Sequence, residues 1–270
     1  MTKSSLDLLW GTGDRPSRGP KPGLTLDRIV TTAVGLADAE GLDAVSMRRV
    51  SAELGVGTMS LYRYVPGKTE LLDLMLDRVQ GESLPDGPPA PTDWRDTVTA
   101  LARTTIALYR AHPWLLKVNE ARSVLGPSAL RGLELCLAGL KGPHGMGLSD
   151  PDTISVIIAV QSFAAGSARM ELQATEAARE TGVDDEEFWR VQHPYLERAM
   201  RSGDYPLMAA LADDTFDRET DHFAFGLARL MDGFETLVAD ADRPDTTGTV
   251  PDTAPGDGPD PDPDPGVTSS

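Results

Sequence analysis

The sequence predicts an all-α protein of two domains, and three observations lead to this fold class. Apolar residues recur at helical spacing through most of residues 24–240, and no part of the pattern needs a strand. Proline and glycine interrupt the periodic stretches, most clearly over residues 81–92. The 270 residues are 40% hydrophobic, which is enough for a real core. We expect a small helical domain over residues 24–69 and a larger one over residues 70–240.

The chain begins with a segment whose composition favours disorder. Residues 1–23 are rich in Gly, Pro and Ser, have no apolar period, and carry Arg15, Arg18 and Lys21. A helix is predicted over residues 24–40, where Thr25 can act as the N-cap and Gly41 ends the pattern. Residues 1–23 are therefore predicted to be a disordered basic arm in front of a folded domain.

The stretch from Ser46 to Lys68 has the spacing of a helix-turn-helix. Ser46 can cap a first short helix, Thr58 can cap a second, and Gly55 falls where the chain must turn sharply. Each helix has apolar residues four apart on one face: Val50 and Leu54 on the first, Leu61 and Val65 on the second. The second helix of such a motif enters the DNA major groove, so this unit is predicted to be a three-helix DNA-binding domain.

The second helix has a solvent face suited to DNA. Its hydroxyl, phenol and guanidinium groups can reach phosphates or base edges: Thr58, Ser60, Tyr62, Arg63 and Tyr64. Lys68 follows at the start of the next helix. Core packing is the alternative for the two tyrosines. One edge of the Tyr62 ring can pack while its hydroxyl binds phosphate.

The string LYRYVPGKTELLDLM, residues 61–75, strongly resembles the TetR family of one-component repressors. In that family the third helix ends in a leucine, two aromatics and a valine, and a lysine opens the fourth helix. The resemblance implies a homodimer that reads a palindromic operator and is released by a small molecule bound in the C-terminal domain. It also implies that Arg48 faces DNA and that Arg49 pairs with a local carboxylate. Gly67 departs from the Asn or Ser usual there and predicts a weaker helix cap.

The distribution of charge agrees with this interpretation. The net charge is −17, but residues 15–68 carry eight Lys and Arg against five Asp and Glu, whereas residues 69–270 carry 16 against 35. Such asymmetry orients a protein on DNA and holds its acidic part away from the phosphates. In the arm, Arg18 and Lys21 can lie along phosphates or enter the minor groove, or the arm can serve only as a solubilising tail.

The larger domain is predicted to be a succession of helices. Periodicity places them over residues 93–111, 126–140, 150–181 and 216–239, with a further helix that Asp184 caps and Pro194 interrupts. His112-Pro113 breaks the first, and Asp150 offers a capping carboxylate to the long one. Residues 241–270 repeat Asp, Pro, Gly and Thr, which predicts a disordered acidic tail.

Small residues on two of these helices predict a subunit interface. Ala165 and Gly166 on the long helix, and Gly226 and Gly233 on the last helix, would let another helix approach closely. Packing within one chain is the alternative for each pair. The C-terminal half also resembles the tetracycline-repressor subgroup, in which the eighth and last helices form a four-helix dimer bundle, and this resemblance favours the interface.

A pocket for an organic effector is expected among the helices over residues 93–200, with apolar walls and a few polar groups. The candidate contacts are Trp114, Asn119, Phe163, Met170 and Gln173. In the tetracycline-repressor subgroup, a histidine near the sixth helix and a glutamate on the eighth hold a magnesium ion. His112 and Glu171 occupy only roughly similar places, so we expect no metal and no cofactor.

The sequence contains no motif typical of a metal-binding protein, an enzyme or a membrane protein. The chain contains one cysteine, Cys136, and four histidines without metal-ligand spacing. It has no GxSxG, HExxH or phosphate-binding glycine loop, so an enzyme is not expected. We found no signal-peptide core and no run of about 18 apolar residues, and we expect a cytoplasmic protein without a membrane partner. The remaining alternative to a ligand-responsive repressor is a helix-turn-helix dimer that binds DNA without an effector.

Overall fold

In the computed structural model, the described residues are 3–11, 23–87, 92–118, 124–183, 185–212, 215 and 220–241. These residues form helices joined by loops and contain no strand, which confirms the predicted fold class. The helices are α1 (Ser5–Leu9), α2 (Leu26–Glu40), α3 (Met47–Glu53), α4 (Thr58–Tyr62), α5 (Lys68–Gly81), α6 (Trp94–Ala111), α7 (Pro127–Leu140), α8 (Asp150–Thr181), α9 (Asp185–Arg201), α10 (Pro206–Ala209) and α11 (His222–Ala241). Leu42–Ala44 and Pro113–Lys117 are short 3-10 turns.

Helices α2 to α5 share one hydrophobic core. Ile29 of α2, Val50 of α3, Leu61 of α4 and Met75 of α5 have no exposed surface. Because α5 contributes apolar residues as far as Val79, the core of the DNA-binding unit extends beyond the boundary predicted at residue 69. We use "head" below for α2 to α5.

A second core lies in the C-terminal domain. Helix α6 packs along α8, and α7 and α11 pack against this pair. Buried apolar residues from all four helices meet there: Trp94, Val98, Leu140, Val156, Val160 and Leu227. The amphipathic patterns predicted for residues 93–111, 126–140 and 150–181 produce these contacts, because each presents one apolar face.

The two domains are joined by several contacts. Asp77 of α5 accepts hydrogen bonds from the backbone N–H groups of Ser128 at 2.9 Å and Ala129 at 3.3 Å, and so caps α7. The turn Pro113–Lys117 inserts Trp114 and Leu115 into the core of the head.

The prediction that residues 1–23 are disordered is wrong for residues 5–9, which form α1. Ser4 and Asp7 make a capping box, Leu8 is buried, and the Ser5 hydroxyl hydrogen-bonds to Asp73 of α5. The arm residues 12–22, including Arg15, and the predicted tail from residue 242 onward lie outside the described residues.

Several predicted helix ends also differ. The N-cap of α8 is Ser149, whose side chain accepts from the N–H of Asp152, and Asp150 is already helical. Pro194 lies inside α9 without interrupting it. The last helix begins at His222 among the described residues, and its predicted start at 216 falls outside them, as does the predicted cap Asp184.

By length and composition, α8 could cross a membrane, but one third of its apolar window is buried inside the protein. Thr153, Val156, Ile157, Val160, Ala164 and Ala168 form this buried stripe. Ile154, Ile158 and Met170 are exposed, at 37%, 56% and 71%. The helix therefore has one face in the core of its own chain and a second apolar face uncovered by it.

Candidate functional site

The helix-turn-helix is held by one polar contact between its two helices. Ser51 of α3 is buried and donates its hydroxyl proton to the carbonyl oxygen of Arg48 at 2.9 Å. Its oxygen lies 2.9 Å from the Thr58 hydroxyl, which must then be the donor. The prediction that Thr58 caps the second helix is wrong, because the N-cap of α4 is Gly57 and Thr58 is its first helical residue. Gly55 turns the chain with φ of +67°, as its position predicts.

The predicted DNA-contacting residues on and just after α4 separate into two groups, because α4 ends at Tyr62 and Arg63 is its C-cap. Tyr62 and Arg63 are exposed. Ser60 and Tyr64 are half-buried. The Tyr64 ring packs against the core of the head, which favours core packing, the alternative role given above for the two tyrosines. Because the Thr58 hydroxyl donates its hydrogen bond to Ser51, its oxygen can only accept a hydrogen bond from DNA.

Basic residues flank α4 on the same unit. Arg48 and Lys68 are exposed and form no ion pair within the described part of the chain. Arg49 pairs with Glu40 at 2.8 Å and Glu53 at 3.1 Å, which confirms the predicted local pairing. Gly67 is the N-cap of α5 and has no side chain that could form a capping hydrogen bond, which agrees with the weaker cap predicted there. Arg18 and Lys21 lie outside the described residues.

Sequence reasoning missed Met59, which is 78% exposed on α4. Helical spacing could have found it, because it lies three residues before Tyr62 on the same face. A thioether with free surface beside the exposed tyrosine suits apolar contact with a base methyl group.

The residues predicted to bind an effector do not come together. Trp114 is buried in the core of the head, and Met170 and Gln173 are exposed on α8. Phe163 is half-buried and stacks on Phe223 of α11, with ring centroids 5.6 Å apart. Asn119 lies outside the described residues. Among the described members of this set, Phe163 is the one that packs against the core of the C-terminal domain, and the effector lining stays a prediction.

His112 and Glu171 are likewise apart and engaged with other groups. Glu171 forms a bidentate pair with Arg110, at 2.8 and 2.9 Å. Both ring nitrogens of His112 face carboxylates, those of Asp38 and Glu82. Among the described residues there is no group of three His, Cys, Asp or Glu side chains placed to hold a metal ion.

The four small residues predicted at a subunit interface differ in whether they pack within the chain. A Cβ on Gly226 would lie 2.5 Å from the Phe163 ring, so this glycine serves close packing of α11 on α8 within the chain. Added Cβ atoms at Gly166 and Gly233 would meet nothing within 4 Å. Ala165 is half-buried. Gly166 and Gly233 therefore remain available to a partner helix, whereas Gly226 is used within the chain.

Comparison with known proteins gives consistent matches over both domains. A family model described as "Bacterial regulatory proteins, tetR family" matches residues 29–75. A second, "Tetracyclin repressor-like, C-terminal domain", matches residues 87–238.

Individual relatives agree with these models. The chain is 58% identical over 235 residues to the HTH-type transcriptional repressor DrrR1 of Streptomyces coeruleorubidus, covering 87% of this chain and 86% of that one. Its structure is similar to that of ActR from Streptomyces coelicolor in complex with actinorhodin, with a TM-score of 0.65 and 30% identity over 82% of this chain and 100% of ActR. The class A tetracycline repressor from transposon 1721 of Escherichia coli is 26% identical over 208 residues, 76% of this chain and 88% of the repressor.

Proposed function

The chain belongs to the TetR family of transcriptional regulators, and we propose that it represses by binding a palindromic DNA operator as a homodimer. The exposed face of α4 and its basic flanks carry this proposal. Tyr62 and Arg63 lie at the surface between Arg48 and Lys68, and these cationic groups have no internal ion partner among the described residues. They are free for phosphates and base edges, while the buried Ser51 contact fixes the helix that presents them.

The homodimer is supported by the uncovered face of α8 and by α11. Ile158 and Met170 are exposed along α8 with Gly166 between them, and Phe225 and Leu237 are exposed on α11. Large exposed apolar side chains on two neighbouring helices are typical of a subunit interface. A second copy would cover them and would place two α4 helices for two half-sites.

We also propose that a small organic molecule, bound in the C-terminal domain without a metal, releases the protein from DNA. ActR has been solved in complex with actinorhodin and with (S)-DNPA, and its similarity covers both domains of this chain. A metal is not required by this proposal, because both nitrogens of His112 and the carboxylate of Glu171 are occupied by protein groups.

DNA binding is tested on duplexes selected from a random library by the wild-type protein. Tyr62→Ala should weaken binding about tenfold with the dimer intact, since one base or phosphate contact is worth about 1–3 kcal/mol. Lys68→Ala should weaken binding to all sequences alike and reduce the salt slope by about one. Tyr195→Ala and Lys141→Ala are the matched controls, because both residues lie in the C-terminal domain. Unchanged affinity in both head variants would refute the assignment of α4.

Effector response is tested by adding actinorhodin, as the first probe, to the complex with selected DNA. Release that survives EDTA supports a metal-free organic site, and release that EDTA abolishes refutes it. If no compound in a wider screen of small organic molecules releases the DNA, the alternative of a helix-turn-helix dimer without an effector is favoured.

A further inference from the structure

A cluster of polar side chains joins the head to the C-terminal domain at the end of α6. His112, the C-cap of α6, is 6% exposed. Its Nδ1 lies 2.7 Å from Asp38 Oδ1 on α2, and its Nε2 lies 3.1 Å from Glu82 Oε2 at the end of α5. The indole N–H of Trp114 donates to the same Asp38 oxygen at 2.7 Å. We call these four residues the His112 cluster.

The geometry selects one charge state of the ring. Carboxylate oxygens accept hydrogen bonds and cannot donate them, and a neutral imidazole has only one N–H. Only the imidazolium donates to both Asp38 and Glu82, which are the ionisable groups that act on the ring in the described part of the chain. Burial lowers the pKa of His112, but the hydrogen bonds with these two carboxylates outweigh burial and raise it overall.

The cluster lies where a movement inside the C-terminal domain reaches the head. Two residues before His112, Arg110 fixes α6 to Glu171 of α8, the central helix of that domain. Two residues after it, Trp114 enters the core of the head. A displacement of α6 relative to α5 must therefore lengthen or break the contacts of His112 with Asp38 and Glu82.

We propose that His112 is a positioning residue for DNA binding, which fixes the angle between head and C-terminal domain through its contacts with Asp38 and Glu82. The proposal rests on the proposed function, because it presumes operator binding by two heads. Two half-sites at fixed spacing require two heads at fixed orientation. A contact that restricts head orientation beforehand increases affinity, because less conformational freedom is lost on binding.

The experiment compares His112→Gln and Asp38→Asn with wild-type protein on selected DNA. Arg95→Gln is the control, because Arg95 pairs with Glu235 at 2.8 Å wholly within the C-terminal domain. At pH 6 we expect His112→Gln to bind about tenfold more weakly and Asp38→Asn about three- to tenfold more weakly. Arg95→Gln should bind like the wild type.

The pH profile separates positioning from simple stabilisation. A group with a raised pKa contributes fully below its ordinary value of 6.5, and the contribution is lost as pH rises through the raised value. The advantage of the wild type over His112→Gln should therefore be largest below pH 6.5 and shrink as the pH rises above the raised pKa of His112, because the neutral ring can donate only one of its two hydrogen bonds.

Three results would overturn the proposal. Equal affinity and equal pH dependence in folded His112→Gln would show that the cluster does not position the head. A lowered thermal midpoint with unchanged affinity would limit its role to stability. If His112→Gln does not fold, the same comparison is decided by Asp38→Asn, which keeps an acceptor oxygen for Trp114, and wild-type affinity and pH dependence there would refute the coupling. Wild-type protein that selects no DNA would instead refute the proposed function.

Discussion

Replacing Gly226 by alanine tests how closely α11 packs on α8. The new Cβ would lie 2.5 Å from Cε2 and Cζ of Phe163. The ring cannot withdraw freely, because it stacks on Phe223 with an interplanar angle of 13°. Alanine in a helix gains about 1 kcal/mol over glycine, whereas overpacking a core costs about 1–3 kcal/mol. We expect a net loss of about 1 kcal/mol, which lowers the thermal midpoint by about 2–4 °C for a protein of this size.

Gly233→Ala is the matched control, since it lies on the same helix and gains the same helix propensity. Its added Cβ meets no atom of the chain within 4 Å, so the folded chain should gain about 1 kcal/mol. Thermal unfolding at two protein concentrations, with sedimentation analysis, separates the effects. If Gly233 lies against a second subunit, its variant will dissociate more readily on dilution. A Gly226→Ala protein as stable as the wild type would refute the packing argument.

Three further predictions concern the free energy of unfolding, each measured by denaturant titration. Leu8→Ala should lose about 2 kcal/mol because Leu8 of α1 is buried in the core of the head, whereas Leu6→Ala should be nearly neutral because Leu6 is 53% exposed. Asp77→Ala should lose about 1 kcal/mol, because the first N–H groups of α7 lose their cap. Ser51→Ala should lose about 1 kcal/mol and weaken DNA binding, because Thr58 loses its acceptor and α4 its tie to α3. Losses below about 0.3 kcal/mol in Leu8→Ala, Asp77→Ala or Ser51→Ala would contradict the respective contact.

The helices could be predicted where the signals are local. The long helix over residues 150–181 has the predicted bounds, and the helix predicted over residues 24–40 begins at Leu26. An apolar period and a glycine or proline stop need no knowledge of distant residues. Helix α1 was missed because five residues carry too short a period, and its burial depends on Asp73 and the core of the head. Its capping box, Ser4 with Asp7, was the one local signal available.

The candidate DNA-binding surface depends on local signals in the sequence, whereas the candidate effector site depends on contacts between distant residues. The exposed face of α4 follows from spacing within one short helix, so Tyr62 on this helix and Arg63 at its C-cap could be placed at the surface from sequence. An effector site collects residues from several helices, and their meeting depends on how α6, α8 and α11 pack. Trp114 shows the difficulty: it is an aromatic residue next to a helix break in the C-terminal part of the chain, yet it packs into the head.

The polar contacts between the domains suggest how the head would move. Arg78 of α5 pairs with Asp27 of α2 at 2.5 Å, while the adjacent Asp77 caps α7 of the C-terminal domain. His112 reaches α2 as well, through Asp38. Both connections therefore act on α2, which shares a fully buried core with α3 and α4. A packed core resists bending, so a shift of α6 would tilt the whole head and leave the shape of α4 unchanged. Under the proposed function, an effector with a higher affinity for the tilted arrangement would release both half-sites together.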